Sequence, residues 1–208
     1  MLIHIQHLSA ADYSSVYRYM LESVHHGTRH ELLCVEHTPV FTLGLRQKNI
    51  PHPDIISGIP VVQTDRGGLT TYHGPGQIVL YPLCHLPSLQ MHPSAFVHTI
   101  EEITCRTLDC FGIHASADAA RPGLYIHGQK IASVGLRAKN NRIYHGIAIN
   151  HNMDLSPFDK IVPCGYDNLK MTQIADYTDI TRGLFIERFI REFTSHFALE
   201  ASYDRQTA

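Results

Sequence analysis

Apolar and polar residues alternate over Leu2–Leu8, with Ile3 and Ile5 on one side and His4 and Gln6 on the other, which predicts a β-strand. The period then lengthens. Val16, Met20 and Val24 recur every four residues, as do Tyr13, Tyr17 and Leu21, so an amphipathic helix is expected, capped by Ser9 and running to about His25. Glu31–Glu36 and Val40–Leu43 predict two strands divided by Pro39. Arg46–Gly58 carries Pro51, Pro53 and Gly58 and reads as a loop, and Pro60–Thr64 as a short strand.

A glycine-dense stretch, Arg66–Gln77, precedes the strand-like run Ile78–Leu83. Pro93-Ser94 opens a second helix with Phe96, Ile100, Ile103 and Phe111 on one side, and Gly112 ends it. Leu124–Ile126, Lys130–Ala138 and Ile143–Asn150 predict three strands, with turns at Gly128 and Asn140-Asn141. Thr181 begins a last helix with Ile186, Phe189, Phe193 and Phe197 on its apolar face, and Asp204–Ala208 is expected to fray. Strands dominate, helices enter singly and the turns are of hairpin type. The expected class is therefore α+β, a mixed sheet with packed helices.

The 208 residues suit one domain, and 1–208 read as a single catalytic unit without repeats or a linker. At 44% hydrophobic and 17% charged the composition excludes disorder. A net charge of −2 argues against bulk attraction to nucleic acid. Met1–Ser15 has neither Lys nor Arg and does not read as a signal peptide, and no apolar run is long enough for a bilayer; a cytoplasmic protein with no membrane partner is expected.

Five cysteines, an odd number with no C-x-x-C pair, argue against a disulfide framework and a structural zinc site. Sixteen histidines invite a metal, but they are scattered and form no H-E-x-x-H, so neither metal nor cofactor is expected. His25, His26 and His30 read as solvated surface around Gly27.

Three segments carry chemistry. Arg66-Gly-Gly-Leu-Thr-Thr-Tyr-His73-Gly-Pro-Gly-Gln77 surrounds polar side chains with glycines that permit close backbone approach to a ligand. A tight hairpin loop and a ligand site both remain open here, and no Rossmann or P-loop fingerprint is present. Lys130 begins an apolar strand; such a lysine is ordinarily an exposed edge residue, whereas one drawn into an apolar setting can shuttle protons. Cys164 sits in a Pro-Cys-Gly turn, while Cys34 and Cys84 fall on strands and Cys105 and Cys110 on a helix, where inert burial is expected.

Together these segments resemble the octanoyltransferase family of lipoate biosynthesis. The pattern R-G-G-x-x-T-aromatic-H-x-x-G-Q-x-aliphatic-x-Y is met by Arg66–Tyr81, K-I-x-S-x-G-L-R by Lys130–Arg137, H-G-x-A-x-N-x-N-M-D-L by His145–Leu155, P-C-G-Y by Pro163–Tyr166, and H-x-P-V-F-T-x-G by His37–Gly44. The resemblance covers about Glu31 to Gln173, with Asp167-Asn168-Leu169 a less familiar continuation.

It implies the fold shared by biotin and lipoate protein ligases. It also implies transfer of an octanoyl group from octanoyl-acyl carrier protein, through a thioester on Cys164, to a lysine of lipoyl domains of 2-oxoacid dehydrogenases or the glycine-cleavage H-protein. Lys130 would keep the thiol ionised and move protons. Arg66, Gly67, Gly68, Leu69, Thr70, Thr71, Tyr72 and His73, with Ser133, Val134, Gly135, Gly146, Ile147 and Ala148, would hold the acyl group. A monomer is expected. A basic rim for the acidic carrier protein would draw on Arg46, Lys48, Arg137, Lys139 and Arg142. The rivals are an ATP-dependent lipoate ligase on the same fold, a non-catalytic lipoyl-domain binding module and a metal-dependent hydrolase.

Overall fold

Two strands that are apolar on both sides organise the molecule. A computed structural model describes residues 1–49, 51–118, 120–161 and 169–203. It contains β1 (Leu2–Ala11), α1 (Tyr13–His26), β2 (His30–His37), β3 (Val40–Leu43), β4 (Ile55–Ile56), β5 (Ile59–Gln63), β6 (Thr71–His73) and β7 (Gln77–His85). These are followed by α2 (Pro93–Asp109), β8 (Ser116–Ala117), β9 (Leu124–Ile126), β10 (Gln129–Val134), β11 (Arg137–Lys139), β12 (Arg142–Tyr144), β13 (Ile147–Asn150), α3 (Arg182–Phe197) and β14 (Glu200–Tyr203).

The larger sheet runs β14-β1-β2-β7-β13-β10-β9-β8, with β12 joining β7 and β11 joining β12. Pairings of β1 with β14 and β2 are parallel, and those of β7 with its neighbours antiparallel. A smaller sheet, β4-β5-β3-β6, carries the glycine-dense segment on its edge strand. The mixed sheet expected from the hairpin turns is thus present.

The period of two decides the layers. Leu32 and Cys34 of β2, with Ile78 and Leu80 of β7, face α2 and α3, where Phe96, Ile100, Phe189 and Phe193 complete one core. Leu33 and Val35, with Val79 and Tyr81, face α1 and meet Val16, Met20 and Val24. Each fully buried side chain of this size stabilises by about 1.5–3 kcal/mol relative to exposure, and both layers depend on the same two strands.

Several boundaries differ from the sequence expectation. Helix α1 starts at Tyr13, not after Ser9, because β1 continues through an irregular register to pair Ala11 with His37. Asp12 then caps the helix, its Oδ2 accepting from the Ser15 amide at 2.8 Å. The single strand expected over Lys130–Ala138 divides at Gly135 into β10 and β11, and that over Ile143–Asn150 divides at His145 into β12 and β13. There the Gly135 amide donates to the Gly146 carbonyl at 2.9 Å, so the two breaks face each other. A Cβ at Gly146 would overlap the Leu80 carbonyl oxygen, so only glycine allows this crossing.

Within the expected loop, Leu45–Gln47 forms a 3₁₀ turn and Ile55–Ile56 a strand. Strand β14 was not anticipated; it has little apolar content and is formed by pairing with β1. The tail expected to fray lies outside the described residues.

Candidate active site

The two facing breaks open a cleft between the sheets. It encloses about 460 Å³ counted to its open mouth and is lined by Arg66, Gly68, Leu69, Thr71, His73, Ser133, Val134, Gly135, Gly146, Ile147 and Ala148, together with Tyr13, Val79, Tyr81 and His145. A second hollow shares Gly68, Leu69, Val134 and Gly135 with it and continues outward past Gly67, Val97 and Leu136 to Arg46 and Pro122.

Three segments far apart in sequence therefore build one slot. Of the residues named for acyl binding, Gly67 lines only the outer part. Thr70 turns away to donate to Gln47 Oε1 at 2.7 Å, and Tyr72 points to the opposite side of β6, packing on Phe41 and Phe158. The alternation of a strand requires that reversal once Thr71 and His73 face the cleft.

Arg66 is a wall of the slot. Its guanidinium donates to Thr42 Oγ1 (3.0 Å), Gly67 O (2.8 Å), Thr42 O (2.6 Å) and Leu69 O (2.6 Å), so the glycine-rich loop is folded around the arginine fork. His73 donates from Nδ1 to Gln77 Oε1 at 2.8 Å; Gln77 donates to Asn150 Oδ1 at 3.0 Å, and Asn150 to Thr172 O at 3.0 Å. The Thr172 amide donates to Lys130 O at 3.0 Å, which completes a buried polar path from the slot to Lys130. Burial holds the His73 imidazole well below its ordinary pKa, helped by the neighbouring His37, and keeps the ring neutral.

Lys130 is 1% exposed, the reverse of an edge lysine. Its Nζ donates to Pro122 O at 2.8 Å and lies 5.4 Å from the centre of the Tyr125 ring. The register of β9 and β10 slips between Lys130 and Ala132, and Gly123 stands opposite with φ +129°. A Cβ there would overlap Ala132 O and crowd the Lys130 Cε, so glycine makes room for the ammonium group. Pro122 also lines the outer hollow, so the amine is hydrogen-bonded to a residue of that wall. The Lys130 amide donates to Lys170 O at 2.9 Å, so the chain re-entering the described region at Leu169 runs beside this strand.

The Cys164 assignment lies outside the described residues. The other cysteines can be judged directly. Burial pushes the Cys34 and Cys84 thiols up to about 12 and the half-buried Cys105 up to about 11. Cys110, expected to be buried, is exposed, because it caps α2 instead of lying within it.

Beside the cleft Asp65 accepts from His145 Nε2 at 2.9 Å and from the Tyr144 hydroxyl, and forms an ion pair with Arg137, whose Nε lies at 3.4 Å. Burial alone would raise its pKa, but the hydrogen bonds from His145, Tyr144 and Tyr17 outweigh this and hold it well below the usual carboxylate range. Sequence reasoning singled out neither Asp65 nor the lining residues Tyr13, Val79, Tyr81 and His145. Val79 and Tyr81 alternate along β7 and were recoverable from that period, and His145 opens one of the family motifs; Tyr13 carried no such signal.

Two surface expectations are also corrected. Arg142 is buried and donates to Arg29 O, Leu83 O and Gly27 O, so it ties α1 to the sheet and does not belong to a basic rim. His30 is buried, with Nε2 3.1 Å from the Ser88 hydroxyl, because it opens β2. Arg46, Lys48 and Lys139 are exposed, and Arg137 is half-buried. Among the described residues no three His, Cys, Asp or Glu side chains stand as a metal cage, and no helix is long and apolar enough to cross a membrane.

Residues 10–198 match the lipoyl protein ligase A/B catalytic domain. The chain belongs to this family. Its curated relatives include octanoyltransferase of Neisseria gonorrhoeae (strain NCCP11945), 52% identical over 150 residues that make up 72% of each chain. Octanoyltransferase of Saccharophagus degradans is 43% identical over 184 residues, 87% of this chain and 85% of that one.

Among solved structures, lipoate-protein ligase A bound with ATP aligns with a TM-score of 0.76 at 14% identity, over 98% of this chain and 89% of that one. Biotin protein ligase from Aquifex aeolicus in complex with biotin and ATP gives a TM-score of 0.57 at 10% identity, over 95% and 70%. The lipoyl protein ligase A/B chain described here thus has the fold shared by lipoate and biotin protein ligases.

Proposed function

We propose that the chain is an octanoyltransferase that takes an octanoyl group from acyl carrier protein, holds it on Cys164, and passes it to a lysine amine of a lipoyl domain. The observation that carries this reading is the buried Lys130 amine bonded to Pro122, a wall residue of the outer hollow that adjoins a slot lined by the residues the family resemblance names. Relatives bearing the name octanoyltransferase support the choice of acyl group.

In the first half-reaction the Cys164 thiolate attacks the donor thioester carbonyl. The carrier's pantetheine sulfur leaves with its electron pair and takes a proton from Lys130. In the second, the acceptor amine attacks the Cys164 thioester, the cysteine sulfur leaves, and neutral Lys130 accepts the proton lost by the amine. Both donor and intermediate are thioesters, so the first step is near balance, and amide formation drives the second. Backbone N–H groups of the glycine-rich loop or beside Gly165 would face the oxyanion.

Cys164 and Lys170 are six positions apart, a span of at most roughly 22 Å, and the Lys170 carbonyl is bonded to Lys130. That tether is compatible with a Cys164–Lys130 pair. The two half-steps let two large protein partners dock in turn.

The test is to mix the protein with octanoyl-acyl carrier protein without nucleotide, measure its intact mass, and then add a lipoyl domain. An octanoyl adduct on the wild type, absent from Cys164→Ala, with transfer to the lipoyl domain, is expected. A strict requirement for ATP would favour the ligase reading, and an adduct that survives Cys164→Ala would remove the thioester.

A further inference from the structure

Helix α2 carries two adjacent glutamates, and the fold treats them differently. Glu102 pairs with Arg106 at the surface, whereas Glu101 is only 5% exposed. A carboxylate withdrawn from water carries a cost unless it meets a donor or a positive charge. Glu101 Oε1 accepts from the Gly123 amide at 3.1 Å, and Oε2 lies 3.6 Å from Nδ1 of the exposed His98.

The Gly123 amide belongs to the same peptide unit as the Pro122 carbonyl, and that carbonyl accepts from Lys130 Nζ at 2.8 Å. A trans peptide points its N–H and its C=O in opposite directions, so the carboxylate and the amine stand at the two ends of one peptide plane. Hydrogen bonds in such a chain polarise one another: a negative charge on the N–H side makes the carbonyl oxygen a stronger acceptor for the ammonium form. The plane is also fixed in place. Gly123, with φ +129° and no room for a Cβ beside Ala132 O and the Lys130 Cε, holds it against β10. Helix α2 anchors Glu101 through Ile100 and Ile103, which lie in the larger core.

We propose that Glu101 is a positioning residue for acyl transfer, favouring the ammonium form of Lys130 through the Pro122–Gly123 peptide. This role rests on the reading of Lys130 as the proton carrier of the proposed reaction and adds to it the group that sets its charge. Other ionisable groups are packed around Lys130. Tyr125 on β9 has its ring centre 5.4 Å from Nζ, and Arg121, paired with Asp118, lies over that ring. His98 stands beside Glu101, the Lys170 carbonyl bonds the Lys130 amide, and Asp176 accepts from the hydroxyl of Thr172, whose amide bonds Lys130 O. All of them remain when Glu101 alone is changed.

Glu101→Gln keeps an oxygen that can accept from Gly123 and removes the charge. Single-turnover formation of the octanoyl adduct from octanoyl-acyl carrier protein, followed by intact mass from about pH 6 to about pH 10, reads the effect. Lys130 gives up a proton in the first half-reaction, so the rate falls as the ammonium form is lost. Removing a nearby negative charge brings that loss to lower pH, and the alkaline limb should move down by about one pH unit in the variant. The rate should drop about tenfold above the limb and change less than about twofold below it.

Superimposable profiles would overturn the proposal and leave the role of Lys130 standing. A rate lowered equally at every pH would also overturn it, because Glu101 would then be a structural pin alone. Lys130→Met is the control: if it keeps the wild-type rate, or if the wild type forms no adduct, the underlying reading falls and the proposal with it. Should Glu101→Gln not fold, NMR of the wild type decides. The Glu101 Cδ ¹³C resonance should move at the same pH as the Lys130 Nζ ¹⁵N resonance, and a Glu101 signal that stays constant through that titration would overturn the proposal.

Discussion

Acid should destabilise this protein through His37, and the size of the effect can be worked out. His37 is fully buried; its Nδ1 donates to Ala11 O at 3.0 Å, so Nε2 is the acceptor for the Tyr81 hydroxyl at 2.9 Å. Burial lowers its pKa to about 4, against the partial opposition of the Ala11 bond and Asp12. The unfolded chain has an ordinary histidine near 6.5 and binds a proton first, so stability is full above pH 6.5 and is lost as pH falls toward 4. At about 1.36 kcal/mol per pKa unit, the loss from pH 7 to pH 5 is about 2 kcal/mol, and roughly 3.4 kcal/mol when complete.

Urea unfolding of the wild type and His37→Asn at pH 7, 6 and 5 measures this directly. Asparagine can keep the bond to Ala11 but does not titrate. Histidines held low by burial away from His37, such as His30 and His145, contribute equally to both proteins and cancel in the comparison, and the neighbouring His73 is held low first by its own burial. The wild type should lose about 2 kcal/mol more than the variant over that interval. Parallel pH dependences would refute the reasoning, because they would mean that the folded imidazole takes up its proton as readily as the unfolded one. The consequence reaches the site, since Tyr81 lines the cleft.

Lys130→Met should lower the octanoyl transfer rate by about 100-fold or more while changing octanoate affinity little, measured by single-turnover kinetics and calorimetry. Gly123→Ala should destabilise the fold by about 2 kcal/mol from its φ of +129° and the overlap with Ala132 O; urea midpoints read the loss, and transfer per folded molecule should fall because Lys130 must shift. Arg66→Lys removes the fork that binds Thr42, Gly67 and Leu69; a loss of about 2–4 kcal/mol and weaker octanoate binding are expected by urea unfolding and calorimetry.

Hydrophobic spacing alone determined the helices at Pro93 and Thr181 and the central strands β2 and β7, because each presents an unbroken period that burial must satisfy. The motifs around Arg66, Ser133 and Gly146 named most of the slot, since glycines leave a local mark wherever backbones approach closely. Tertiary structure decided the rest. Whether Lys130 is exposed or buried depends on Gly123 and the slipped register opposite it, and whether Arg142 meets solvent or α1 depends on carbonyls more than fifty residues away in sequence. The tautomer of His145 follows from Asp65, which is brought near only when β12 closes against the glycine-rich loop. Local sequence records periodicity and backbone freedom; it does not record which distant polar group removes a side chain from water, and that choice sets the chemistry of the site.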